Sequence, residues 1–408
     1  MRIFAKENQK LLFIIITMFL NFLSFSIVIP ILPFLIGKFI NTSSQIALNV
    51  GLITSAFAFC QFFSAPVLGA FSDRFGRRPI LLISLLGSAV GYLVMTIGGS
   101  LWILYLGRII DGLTGGNIST IYAYIADITE PKDRGKYYGM LGAAGGFGFM
   151  FGPAIGGFIG SYNLTAPLYL AAFVTIINMV WGYFVLPESL HNDHRIVKIE
   201  VSHMNPFSAF SHVFSINALR RIFLTAFLFF LGLNGLHSVT SVFLKDNFSW
   251  GPSEIGLVLF VVGVFDIISQ GFLVRKLLPI FGDTKVAIMG LILSMIGFII
   301  AGSTALIVSP LLFYLAVIIY IIGDGLFEPS ISSLISYSAP KNMQGRVQGA
   351  SQGMQSMARI VGPLLATFVF TFWKGLPFFT STLLMGISLI VIVLSISIIH
   401  EHKQTSEG

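Results

Sequence analysis

Six acids and arginines stand well inside long apolar runs of this chain: Arg108, Asp111, Asp266, Asp324, Glu328 and Arg359. At mid-helix in hydrocarbon each costs roughly 2.5–3.5 kcal/mol, so each calls for a functional reason. Arg108 and Asp111 are three apart and share a helix face, where they can line an internal polar site or merely neutralise one another. Asp324 and Glu328 are one helical turn apart. Two carboxyls that close in an apolar run interact strongly, and together they can bind a proton and release it when water enters. That is the chemistry of a proton carrier. Arg359 is the natural counter-charge, and a purely structural Glu328–Arg359 pair is the plainer alternative.

A second cluster lies between two apolar runs, in "GAFSDRFGRRP" from Gly69 to Pro79, where Asp73, Arg74, Arg77 and Arg78 crowd together. The segment reads as a very short turn, with Gly76 permitting the reversal and Pro79 suited to a helix start. Arginines there anchor a loop on the cytoplasmic side, but Asp73 adds nothing to such an anchor. Its carboxylate is expected to face the N-terminus of a helix from the other half of the chain, with the one starting near Gln348 as candidate, a contact worth about 0.3–1 kcal/mol. Gly69 is expected to mark a close helix neighbour. Such a latch would close the cytoplasmic side and release on opening.

These groups need helices to hold them. Of 408 residues 55% are hydrophobic, and the mean hydropathy is +0.88, too apolar for a water-soluble globule. Twelve runs reach the roughly 20 residues that a membrane-spanning helix needs, near 11–37, 48–70, 79–97, 101–125, 137–160, 164–186, 221–245, 252–275, 284–304, 308–337, 347–372 and 376–399. The first is read as a span rather than a cleaved signal. Basic residues crowd the loops on one side, while the opposite loops hold Lys38, Lys245 and Lys374. By the positive-inside rule both termini are cytoplasmic, and the net charge of +7 is topological.

The expected fold is an all-α membrane protein of twelve transmembrane helices in two six-helix bundles, 1–186 and 221–408, joined by a cytoplasmic loop, 187–220. Landmarks recur across that loop: Gly69 with Gly271, "DGL" at 111–113 with 324–326, and "GP" at 152–153 with 362–363. Such half-repeats mark secondary transporters, whose substrate site lies between the halves.

Three stretches carry a family resemblance. "GAFSDRFGRRPILL" resembles the first signature of the major facilitator superfamily, departing from it at Phe71. "LGRIIDGLTGG" is similar to the span-four motif with its intramembrane arginine, here Arg108. Gly139, Gly148, Gly152, Pro153, Gly156 and Gly157 fit the spacing of the antiporter motif of the twelve-span drug:proton antiporter branch, close to bacterial tetracycline and multidrug exporters. The resemblance implies a cytoplasmic gate of Gly69, Asp73, Arg74, Gly76 and Arg77, with a charge relay running from Asp73 and Arg77 to Asp127. One departure matters: tetracycline exporters carry an aspartate in span one where this chain has Asn21. An asparagine can hydrogen-bond a substrate but cannot release a proton, so coupling falls to Asp111 and the acids of the second half. Independently of any family, Gly148, Gly152 and Gly156 recur every fourth residue. They make a stripe without side chains on which another helix can lie, with Pro153 bending the helix beside it.

The expected function is proton-coupled efflux of a small amphipathic compound by a monomer in the cell membrane. An importer or facilitator of a metabolite and a non-transport membrane protein are the alternatives. One proton entering down roughly 150 mV yields about 3.5 kcal/mol, enough for a few-hundredfold gradient of a neutral compound at about 1.4 kcal/mol per decade. There is no phosphate-loop motif for an ATP-driven pump, no cofactor or metal spacing, no nucleophile–base constellation and no basic patch suited to nucleic acid. The partners expected are the substrate, protons and the lipid bilayer.

Overall fold

A computed structural model describes residues 2–130, 132–191, 193, 195–196, 217–339 and 344–395, and among these there is no strand. The elements are α1 (Arg2–Ser26), a short α2 (Leu32–Ile36), α3 (Ser43–Phe75), α4 (Arg77–Ile97), α5 (Leu101–Thr114), α6 (Ile118–Ile128), α7 (Arg134–Tyr162) and α8 (Ala166–Val185). After the central connection come α9 (Asn217–Phe248), α10 (Pro252–Ile268), α11 (Val274–Phe281), α12 (Asp283–Ser303), α13 (Pro310–Tyr337), α14 (Gln344–Phe370) and α15 (Leu376–Val393). Most of the 187–220 loop lies outside the described residues.

Eleven helical stretches among the described residues are long and apolar enough to cross a membrane. The run near 101–125 is helical too, but not as one helix. It is α5, a 3-10 turn at Gly115–Asn117, and α6. Paired glycines favour the break, since glycine loses the most freedom in a helix. A Cβ on Gly116 would lie 2.7 Å from Ala65 Cα, so α3 packs directly on its backbone. Carbonyls of this segment are met from α3: Gln61 Nε2 donates to Gly115 O at 3.0 Å and Ser64 Oγ to Gly112 O at 3.0 Å. The run near 252–275 is also modified. A single π turn, Ser269–Leu273, joins α10 to α11, and Ser269 Oγ donates to Ile322 O at 3.1 Å.

Two compact units form by contact. The first takes in the described residues of 1–40, 56–206 and 251–260, and the second those of 41–55, 207–250 and 261–408. In the first, α1 packs on α7 and α4 on α5 and α8; in the second, α9 packs on α14 and α15, and α12 on α13 and α15. Each unit has a glycine crossing of the same kind. A Cβ on Gly91 of α4 would lie 2.7 Å from Gly107 O of α5, and one on Gly290 of α12 would lie 2.6 Å from Gly323 O of α13. Each crossing lies close to an aspartate: Gly107 is one turn before Asp111, and Gly323 immediately precedes Asp324. Large apolar side chains such as Phe173, Phe184, Leu311 and Leu383 are more than half exposed, as a surface solvated by lipid requires.

Candidate gate and internal charge sites

The charged turn of the first unit is built around Arg77. Gly76 has φ +105°, a conformation that L side chains rarely adopt, and it reverses the chain directly between α3 and α4. Arg77 is then the first residue of α4, yet it is only 8% exposed. Its guanidinium pairs with Asp73 at the end of α3, donates from Nε to Asp127 Oδ2 at 3.1 Å, and donates from Nη1 to Ser72 Oγ at 2.7 Å. Asp127 ends α6, so one cation draws three helix ends together. Arg74 stands over the Phe75 ring at 5.2 Å. Gly69 differs from expectation: a Cβ there would meet Ser119 Oγ at 3.8 Å, an ordinary contact, so no close helix neighbour demands glycine. Its counterpart Gly271 faces nothing within 4 Å.

Deeper in the same unit, Arg108 and Asp111 are 4% and 3% exposed and pair at 3.2 Å. Ser88 and Tyr92 of α4 lie within hydrogen-bonding reach of the Asp111 carboxylate. The Arg108 guanidinium lies over the rings of Phe25 and Phe57, 5.6 and 5.2 Å from their centroids, and its Nε has no acceptor. Asn21 of α1 donates to Asn117 Oδ1 at 3.3 Å, at the break in span four.

The glycine stripe of α7 has a definite partner. Cβ atoms on Gly148 and Gly152 would run into the backbone of α1 at Phe19 and Leu23, and one on Gly156 into that of Ile27, just past its end. Gly157 faces another way, against Pro252 and Gly256 of α10, while Gly139 has open space. Pro153 lies within the helix.

In the second unit, Asp324 of α13 is 7% exposed, and its Oδ1 has no hydrogen-bond partner. Asp266 of α10 lies against the same turn: a Cβ on Gly325 would be 3.4 Å from Asp266 Oδ1. Gln270 Nε2, in the π turn, donates to that oxygen at 2.9 Å. Glu328 is within electrostatic reach of both Asp266 and Arg359, and Arg359 in turn of His237 on α9. Three acids and one arginine thus share one polar region.

A model of the Major Facilitator Superfamily matches residues 14–363, with a second match over 222–407. The chain belongs to this superfamily. Among the relatives of this facilitator, the tetracycline resistance protein of class C from Escherichia coli is 32% identical over 91% of the chain and 93% of its own length. Multidrug resistance protein 2 of Bacillus subtilis (strain 168) is 29% identical over 94% of each. Among solved structures, the human organic anion transporter MFSD10 (TETRAN) superposes with a TM-score of 0.72 at 25% identity, covering 95% of this chain and 99% of that one. The peptide transporter POT bound to alafosfalin reaches 0.78 at 14% identity, covering 97% and 95%, a likeness of fold. The twelve-helix facilitator architecture and a transporter's role follow.

Several participants were beyond sequence reading. Ser88, Tyr92, Phe25 and Phe57 come from three other helices, and nothing in their spacing ties them to Arg108. Glu188, which meets the first amides of α4, carried one faint signal, an acid immediately after a span.

Proposed function

We propose that this transporter exports an amphipathic small molecule from the cytoplasm in exchange for protons, by alternating access of a site served by both halves of the chain, 1–186 and 221–408. It works as a monomer with both termini in the cytoplasm. The observation that carries the reading is Asp324, a buried carboxyl with a bare oxygen, next to Asp266 and one turn from Glu328. Buried charge without a partner is costly, and a proton taken up here offsets it. Arg359 is the counter-charge that favours release. Asp111 is the corresponding acid of the first half, held by Arg108. Asn21 and Asn117 offer hydrogen bonds to a substrate without exchanging protons. Resistance to tetracycline and to multiple drugs, named for the relatives, supports export of compounds of that kind.

Asp73, Arg77 and Asp127, with Gly69, Arg74 and Gly76, form the cytoplasmic gate, and the stripe of Gly148, Gly152 and Gly156 is the packing face that keeps α7 tight on α1, while Gly157 packs on α10. A drug-susceptibility panel in an efflux-deleted host, with and without an uncoupler, identifies the exported compound. In inverted vesicles with an imposed pH gradient, Glu328→Gln is expected to fold normally and lose uphill transport. Gradient-driven transport at the wild-type rate would sink the proton role.

A further inference from the structure

The turn between α3 and α4 has a capping problem. Its N-cap position is Gly76, which the positive φ requires, so the residue there has no side chain to offer the first amides of α4. Those amides are met from 110 residues further along. Arg77 N–H donates to Glu188 Oε1 at 2.8 Å and Arg78 N–H to Glu188 Oε2 at 3.2 Å. Glu188 is itself held by its own turn, since Ser189 and Leu190 N–H both donate to Oε1 at 3.1 Å. A Cβ on Gly76 would occupy the space of the Glu188 carboxylate, so the glycine serves both the backbone turn and the seat of the cap.

The same short segment also meets α6 and the end of α3. Tyr124 of α6 donates to Pro187 O at 2.9 Å, Ser189 Oγ donates to Asp127 Oδ2 at 2.9 Å, and Ile196 N–H donates to Asp73 O at 3.1 Å. Asp127 Oδ2 therefore receives both Ser189 and the Arg77 guanidinium. We infer that the start of the central loop is a strap belonging to the gate, and that Glu188 is a positioning residue. By fixing the N-terminus of α4 it holds Arg77 where Asp73 and Asp127 can share it, and so sets how readily the transporter changes state. The strap rests on the gate reading above.

The test needs no substrate. In the full-length protein with Cys60→Ser, dyes on cysteines at exposed Lys132 and Lys285 report dwell times of the two states by single-molecule energy transfer. Four variants are compared: Asp73→Asn, Glu188→Ala, the two together and Glu188→Gln. The expected result is that each single change alters the dwell times at least fivefold in the same direction, that the double variant does no more than either, and that Glu188→Gln, which keeps one acceptor, falls between. Dwell times within twofold of the parent for Glu188→Ala, or effects that multiply in the double variant, would overturn the strap while leaving the gate intact. A lowered melting temperature with unchanged dwell times would also overturn it, because Glu188 would then be structural alone. If Asp73→Asn itself leaves the dwell times unchanged, it is the gate reading that fails.

Discussion

Arg108 and Asp111 are the clearest case of charge that the surrounding structure must justify. Their 3.2 Å pair is roofed by Phe25 and Phe57 and flanked by Ser88 and Tyr92. Removing one member of a buried pair leaves the other uncompensated, at a cost of about 3–5 kcal/mol, whereas replacing both by apolar residues of similar volume is often close to neutral. Arg108→Met is therefore expected to lower the melting temperature sharply, and Arg108→Met with Asp111→Leu to recover most of it. If the pair serves transport, neither variant exports. A double variant that exports at the parent rate would reduce the pair to mutual neutralisation. The spacing of the two residues was visible in the sequence. Their roof was not, because rings on α1 and α3 acquire that role only when the helices pack.

At the level of helices, the glycines of α7 separate motif from geometry. Gly148 and Gly152 touch the α1 backbone and Gly156 that of Ile27 just past its end, but Gly139, a member of the same spaced pattern, faces open space. A methyl group forced into a packed crossing costs roughly 1–3 kcal/mol. Gly148→Ala should lose that much in thermal or denaturant unfolding, whereas Gly139→Ala, at an open position within a helix, should cost nothing and gain up to about 1 kcal/mol. Equal losses at both positions would show that packing on α1 is not what the stripe provides. The regular fourth-residue spacing predicted a close partner and left its identity open. Gly69 teaches the converse lesson, since a glycine at a helix end need not mean a close neighbour.

For the molecule as a whole, what matters is how fast it passes between states. Asp73 shares Arg77 with Asp127 in the proposed gate. Asp73→Asn is expected to lower the maximal transport rate at least fivefold while substrate affinity stays within twofold, because a gate governs exchange rather than binding. Transport assays that return an unchanged maximal rate would count against this. Composition and run lengths were enough to determine a twelve-span α-helical membrane protein, because lipid leaves the backbone little choice but helix. Motif spacing likewise determined which acids and glycines were worth attention. Tertiary structure alone decided where span four breaks, where span eight takes a π turn, which helix the α7 stripe meets, and that Glu188 caps α4 from across the chain. The reason is physical: hydropathy and spacing are local quantities, whereas a cap or a counter-charge is defined by what arrives within about 3 Å from a distant part of the sequence.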